Sequence, residues 1–401
     1  MKMMSYEEIL CDANTLYKAY LASVKTSEWK ESTQRVMLNY LTYIFQILDD
    51  LRNRTLVNDP TDEFQLNERG KIRPITSLST KDRIVRHALC DEVLLPQVRR
   101  KIIYDNSASI KGRGISHARK RFEIHIRKAY REFGSDAYIL FGDFKKFYDN
   151  IIHEIVKKML LDLVDDDEFV SWLLDIIFDS FKIDVSYMTD EEYYACLSNV
   201  FDKLAYRKTI PKEFLTGEKF MAKSVNIGDQ ISQIIGIYYP HRIDTYVKFV
   251  RSQKYYGRYM DDWYLVCKTK EELIDIYCNI CQIVEDLGIH INTKKTRIVK
   301  LCSSYKFLQV IYDLKDDGKL YKKLNPDRVV SFRRKLKKLA VKVLEGSSTY
   351  ENVENTFKSW MGSYYKLLTK IQRKNLIKLY EDLFNKRVNI VQKKMVITEQ
   401  E

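Results

Sequence analysis

The chain is poor in residues that break regular structure: its 401 residues include only 6 Pro and 13 Gly. That scarcity argues against long disordered linkers. Cysteine is also sparse, with seven residues scattered at Cys11, Cys90, Cys196, Cys267, Cys278, Cys281 and Cys302. Cys278 and Cys281 form the one close pair, inside the amphipathic stretch from Glu271 to Leu287, and no second Cys or His pair stands at zinc spacing. All seven are read as reduced thiols, mostly in the core. No apolar run reaches the roughly 18 residues that a membrane helix needs, and no secretory-type apolar stretch stands near the N-terminus. A cytoplasmic protein with no membrane partner is expected. Repeats and low-complexity tracts are absent as well.

What is present suits a globular chain. Hydrophobic residues make up 45%, and the length favours two or three subdomains over one small core. Lys and Arg number 68 against 55 Asp and Glu, a net charge of +13 that suits a polyanionic partner such as nucleic acid.

The stretch that organises the rest is Tyr255-Tyr256-Gly257-Arg258-Tyr259-Met260-Asp261-Asp262-Trp263-Tyr264-Leu265-Val266. Its aromatic and aliphatic residues favour strands, so it reads as a hairpin with Met260-Asp261-Asp262 at the turn. Two carboxylates forced into one small volume repel each other and stay ionised most easily beside a cation; Mg2+ with oxygen ligands fits that need. The other acidic runs, Asp49-Asp50, Asp165-Asp166-Asp167 and Asp316-Asp317, lie in polar surroundings and read as solvated surface. A third acid, Asp143, ends the apolar strand Ala137-Tyr138-Ile139-Leu140-Phe141-Gly142, and a helical segment follows it.

Together these two motifs resemble the palm of a reverse transcriptase, where a strand-end Asp joins a Tyr-x-Asp-Asp hairpin. The resemblance covers roughly residues 60–370. It implies that Asp143, Asp261 and Asp262 are catalytic and bind two Mg2+ ions, with Mn2+ as the alternative, and that the Phe144 carbonyl adds a ligand. It also implies an α+β right-hand polymerase with fingers, a palm on an antiparallel sheet and a helical thumb. The activity implied is addition of deoxynucleotides to a primer 3′-hydroxyl by two-metal phosphoryl transfer on an RNA template. Partners would be the RNA template, a DNA or RNA primer, deoxynucleoside triphosphates, and a cognate structured RNA or accessory protein.

The remaining segments take their place in that frame. Residues 1–60 read as an N-terminal helical extension, with Tyr17, Tyr20, Leu21, Val36, Leu38, Leu41, Ile44, Phe45 and Leu48 as apolar stripes. Residues 61–320 are the expected fingers and palm. Phe64 to Ile75 reads as a hairpin with Gly70 near its tip, and Lys71 and Arg73, two apart, point the same way. Family resemblance assigns them to the incoming nucleotide. It also turns Arg83 and Arg86, in the helix that ends at Pro96, toward the template. The Gly-rich basic stretch from Ser109 to Arg119 offers Arg113 to a phosphate. Tyr148, five positions after Asp143, matches the bulky residue under the nucleotide sugar that favours deoxynucleotides.

Residues about 153–205 are helical and locally acidic and are expected to face solvent or a basic partner. Ser224 to Gln233 resembles the family's third palm motif, usually Gln-Gly-x-x-x-Ser-Pro. Here Ile227 replaces Gln and Gln233 replaces Pro, a departure typical of diversity-generating retroelements and some relatives. Gly228 would allow close approach of the base or sugar, with Gln233 beside it in the nucleotide site. Lys295 aligns with a palm lysine near the leaving pyrophosphate, and Tyr305 to Val310 resembles the primer grip, with Gln309 for the usual Gly. Residues 321–401 read as a basic helical thumb in which Arg333, Arg334 and Lys337 contact nucleic acid. Ser359 to Tyr365 resembles the thumb of group II intron and bacterial retroelement enzymes. No ribonuclease H or endonuclease motif accompanies these segments. The same acids would also serve an RNA-dependent RNA polymerase or a template-independent DNA polymerase of the antiviral type, and an RNA-binding scaffold with an inactive palm is the reading from another class.

Overall fold

The computed structural model describes residues 4–25, 27–68, 71–391 and 394–399. The chain forms two compact units, Met1–His125 with Tyr138–Ile298, and Ile126–Ala137 with Val299–Glu401. The expected N-terminal extension is therefore part of the first unit, and the second begins earlier than residue 321.

Four helices open the first unit: α1 (Tyr6–Leu10), α2 (Ala13–Val24), α3 (Glu31–Leu38) and α4 (Tyr40–Arg52). Ser5 and Glu8 form a capping box at α1, and the Asp12 carboxylate caps α2 by accepting from Thr15 N. Of the apolar stripes, Tyr20, Val36, Ile44 and Leu48 are buried, whereas Leu38, Leu41 and Phe45 stay exposed. The antiparallel hairpin β1 (Asp62–Glu68) and β2 (Lys71–Ser77) follows, with Arg73 opposite Leu66. Next come α5 (Thr80–Ala88), capped by Ser79, a π-helical turn over Leu89–Leu94, α6 (Leu95–Lys101) and α7 (Ile115–Phe133), which from Ile126 on belongs to the second unit.

The unit is built on an antiparallel sheet. Strands β3 (Tyr138–Gly142), β6 (Tyr256–Tyr259), β7 (Asp262–Cys267) and β8 (Arg297–Lys300) lie in the order β6-β7-β3-β8, with Val299 and Lys300 of β8 belonging to the second unit. Leu140, Leu265 and Tyr256 join the main core, and Phe122 of α7 packs edge-on to Tyr264 with ring centroids 4.7 Å apart. Helix α14 (Lys270–Asp286) packs against β3 and β7 with Leu273, Ile276, Ile280 and Val284 buried. Both strands are thus covered on both faces, which explains their unbroken apolar runs.

Between β3 and β6 run α8 (His153–Leu161), α9 (Glu168–Asp179), β4 (Ile183–Asp184), α10 (Asp190–Ser198), α11 (Lys203–Thr209), β5 (Phe220–Met221), α12 (Gln230–Tyr238) and α13 (His241–Thr245). The expectation that residues 153–205 face solvent fails for α9. Its Phe169, Val170, Leu173, Leu174, Ile177 and Phe178 are buried in the main core, and Arg54 covers the Phe169 ring at 4.5 Å. Their three- and four-residue spacing outweighs the acids, which cluster in the preceding turn or, as at Asp175 and Asp179, stay on the exposed face. Residues 183–221 form a small satellite core around Val185, Phe201 and Met221.

In the second unit, β9 (Ser304–Phe307), β10 (Val310–Leu314) and β11 (Leu320–Leu324) form a three-stranded sheet. The β9–β10 turn puts Leu308 and Gln309 at φ 44° and 71°. This is the left-handed region that glycine favours, so Gln309 takes a conformation that a glycine would take at less cost. Helices α15 (Pro326–Leu344), α16 (Tyr350–Tyr364) and α17 (Lys370–Phe384) enclose Phe332, Leu336, Phe357, Met361, Leu376 and Tyr380. The Trp360 ring stacks on Phe332 at 4.0 Å. Strands β12 (Lys386–Val391) and β13 (Lys394–Glu399) form a final hairpin.

Candidate active site

Register brings the acids to one end of the sheet. Gly142 pairs with Trp263 and Tyr259 pairs with Asp262, so Asp143 leaves β3 beside the start of β7. Met260 and Asp261 make the two-residue turn, with Met260 at φ 57°. Asp143 is 4% exposed, and Asp261 and Asp262 are half-buried. Burial, and next the charge of Asp143, pushes the Asp261 carboxyl above its usual range, while Lys295 and Arg73 pull it back.

The segment after α14 grips Asp143. Asn292 Nδ2 donates to Oδ2 at 2.7 Å, and Lys295 Nζ donates to Oδ1 and Oδ2 at 2.7 and 2.8 Å. Asn292 N donates to the Asp143 carbonyl at 2.8 Å and Lys145 N to the His290 carbonyl at 2.7 Å, which pairs Phe144 with Ile291. The Phe144 carbonyl takes no part in that bridge, and its ring is buried beside Phe147 at 5.4 Å. Burial opposes the charge of Lys295, but Asp143, and then Asp261 and Asp262, outweigh it and hold the ammonium above the ordinary lysine range.

Among the described residues, no three His, Cys, Asp or Glu side chains stand together as a ready metal cluster. The donor set nevertheless fits a hard divalent cation. Its atoms are carboxylate oxygens, their mutual repulsion is visible at Asp261, and a cationic ammonium already spans Asp143.

Several other expected residues gather here. Arg73 is near enough to lower both Asp261 and the Tyr148 phenol, which burial and the Asp261 charge push up to about 12. Tyr148 lies in a short 3-10 helix, Phe147–Asn150, and its hydroxyl donates to Met260 Sδ at 3.8 Å. Gly228 takes φ +104°, and a Cβ there would lie 4.0 Å from Ile75 Cγ2 on β2, the strand of Arg73. Lys71 begins β2, but its side chain, with Gly70, lies outside the described residues. Gln233 is exposed and accepts from Ser109 Oγ at 3.2 Å.

One arginine is corrected, and two others bond to neighbours within the fold. Arg86 does not face a template: it is 1% exposed and ion-paired with Asp229. Arg83 is half-buried and donates to Ser27 Oγ at 3.2 Å and Thr80 Oγ1 at 3.1 Å. Arg113 donates to the Asn106 carbonyl at 3.0 Å and lies over the Tyr104 ring at 5.0 Å. In the second unit Arg333, Arg334 and Lys337 are exposed on α15.

Sequence reasoning passed over Asn292 and Asn150. Asn292 stands directly after an apolar run, the one signal that marks it. Asn150 brackets Phe201, donating to its carbonyl at 3.1 Å and accepting from its amide at 2.8 Å, and nothing local announces that role.

An antiparallel sheet with strand-end and hairpin aspartates at one end, and a lysine paired to the first of them, is consistent with an α+β polymerase. The profile of the reverse transcriptase (RNA-dependent DNA polymerase) family matches residues 59–312, more than half of the chain, and the chain belongs to that family. It is an RNA-directed DNA polymerase, with a nucleic-acid template and primer and nucleotides as substrates. Comparison with curated proteins gives no match.

Proposed function

We propose that the chain adds deoxynucleotides to a primer 3′-hydroxyl on an RNA template. The β1–β2 hairpin acts as fingers, the four-stranded sheet as palm, and the helices of the second unit as thumb. The Lys295 ammonium across Asp143, beside Asp261, is the observation that carries this reading, because it marks carboxylates gathered about positive charge. Asp143, Asp261 and Asp262 would hold two divalent ions, Mg2+ or Mn2+, whose chemistry when bound is activation of the primer hydroxyl and neutralisation of the triphosphate. Arg73, and Lys71 with it, pairs with the triphosphate. Gly228 lets the nucleotide approach the backbone closely, and Tyr148 occupies the space that a 2′-hydroxyl would need. Lys295 stays protonated at neutral pH and half-exposed, so it is suited to give positive charge and a proton to departing pyrophosphate. Gln233 in place of Pro supports kinship with diversity-generating and group II intron-like enzymes from prokaryotic retroelements or defence systems.

Incorporation of labelled deoxynucleotides on primed RNA tests the proposal. Activity is expected with Mg2+, none with a chelator, and a fall of about 1,000-fold or more in Asp261→Asn, with its folding midpoint retained. Undiminished incorporation by Asp261→Asn, or incorporation that ignores the chelator, would refute it.

A further inference from the structure

Arg86 lies within α5 and is 1% exposed, and its polar contacts are made within the fold. Its guanidinium joins segments far apart in sequence. Nη1 is ion-paired with Asp229, and Nη2 donates to Ser180 Oγ at 2.8 Å and to Asn58 Oδ1 at 3.4 Å. Its Cζ lies 5.4 Å from the Phe181 ring centroid. A planar fork can hold several acceptors in fixed directions, which an ammonium cannot.

Asp229 has a second duty. Its carboxylate caps α12 by accepting from Ile231 N at 3.3 Å, so it cannot turn without losing both the cap and the ion pair. Gly228 precedes it directly at φ +104°. Upstream, Ser224 N donates to the Ile151 carbonyl at 2.9 Å and Val225 N to the Tyr148 carbonyl at 3.0 Å. The loop is thus pinned at its start by the segment that carries Tyr148 and at its end by Arg86, with Gly228 held between them beside β2.

We propose that Arg86 is a positioning residue for the incoming nucleotide: acting through Asp229, it fixes the backbone at Gly228 on which sugar and base rest. This builds on the polymerase reading above. Arg86 touches no substrate, so its loss should appear in nucleotide affinity and leave primed-RNA binding alone.

The test uses the full chain and compares wild type, Arg86→Lys, Arg86→Gln and the double variant Arg86→Gln/Asp229→Asn. For each, the deoxynucleotide KM and kcat at saturating primed RNA, the Kd for primed RNA without nucleotide, and the thermal midpoint are measured. Arg86→Lys keeps the charge and loses the fork; its KM should rise about tenfold, with kcat and the RNA Kd within about twofold. The double variant removes the stranded charge and should recover the thermal midpoint that Arg86→Gln loses, while its KM stays raised. An unchanged KM in Arg86→Lys, or a KM that recovers with the midpoint in the double variant, overturns the proposal. If Arg86→Lys does not fold, the double variant decides by the same KM criterion. Absence of incorporation by the wild type would instead sink the polymerase reading, and this inference with it.

Discussion

His153 Nε2 lies 2.6 Å from the Ser224 carbonyl oxygen, and among the described residues its Nδ1 has no partner. The ring therefore sits neutral, with the proton on Nε2 given to Ser224 and no acceptor for a second proton. Burial, with Lys203 and Lys182 nearby, pushes its pKa down to about 4 against the opposing Ser224 bond. The unfolded chain thus binds more protons than the folded one between about pH 6.5 and pH 4, so stability is full above that window and falls as pH drops through it. Each pKa unit corresponds to about 1.4 kcal/mol, so this histidine can cost about 3 kcal/mol at acid pH. Urea midpoints measured across that range should fall toward pH 4 in the wild type and fall less in His153→Gln; parallel profiles for the two proteins would refute the assignment. Placement was legible where apolar strand residues flank a side chain closely, as at Asp143, Asp261 and Asp262. It was not legible at Arg86, because a buried and an exposed arginine look alike until their neighbours are known.

At the scale of elements, the β3–β7 pairing decides where Asp143 emerges. A Cβ at Gly142 would fall inside the Trp263 indole ring, so glycine here is required by close packing between paired strands and not by a turn. Trp263 is 1% exposed and has no room to retreat. Gly142→Ala should destabilise the chain by about 1–3 kcal/mol, read as a lower urea midpoint, with incorporation falling as Asp143 shifts. An unaltered midpoint would mean that this register is wrong. The hairpin and the strand were readable because apolar runs flank the acids closely. Helix α9 was misread because its acidic approach, Asp165-Asp166-Asp167, drew more notice than the apolar spacing that follows.

For the whole molecule, the net charge of +13 states an affinity for polyanions but not where it acts. Arg86 is buried inside the fold and Arg83 and Arg113 bond to neighbours there, while Arg333, Arg334 and Lys337 remain exposed on α15. Replacing these last three by Glu should weaken primed-RNA binding. It should also flatten the slope of log Kd against log salt by about 2, since each phosphate contact contributes about 0.7–0.9. The thermal midpoint should hold, because none of the three is in the core of the second unit. An unchanged salt slope would remove α15 from the nucleic-acid interface.

The amino-acid sequence by itself determined the family and the place of the carboxylates at a strand end and a turn, because local spacing records both. It also determined the basic balance and the helical character of the stretch that holds α15, α16 and α17, but not the β12–β13 hairpin that follows. Only the tertiary structure decided which cations stay free, that Asn292 and Lys295 grip Asp143, and that α9 belongs to the core. Those outcomes depend on contacts between residues up to about 150 positions apart, such as Asp143 and Lys295, and no local propensity encodes such a meeting.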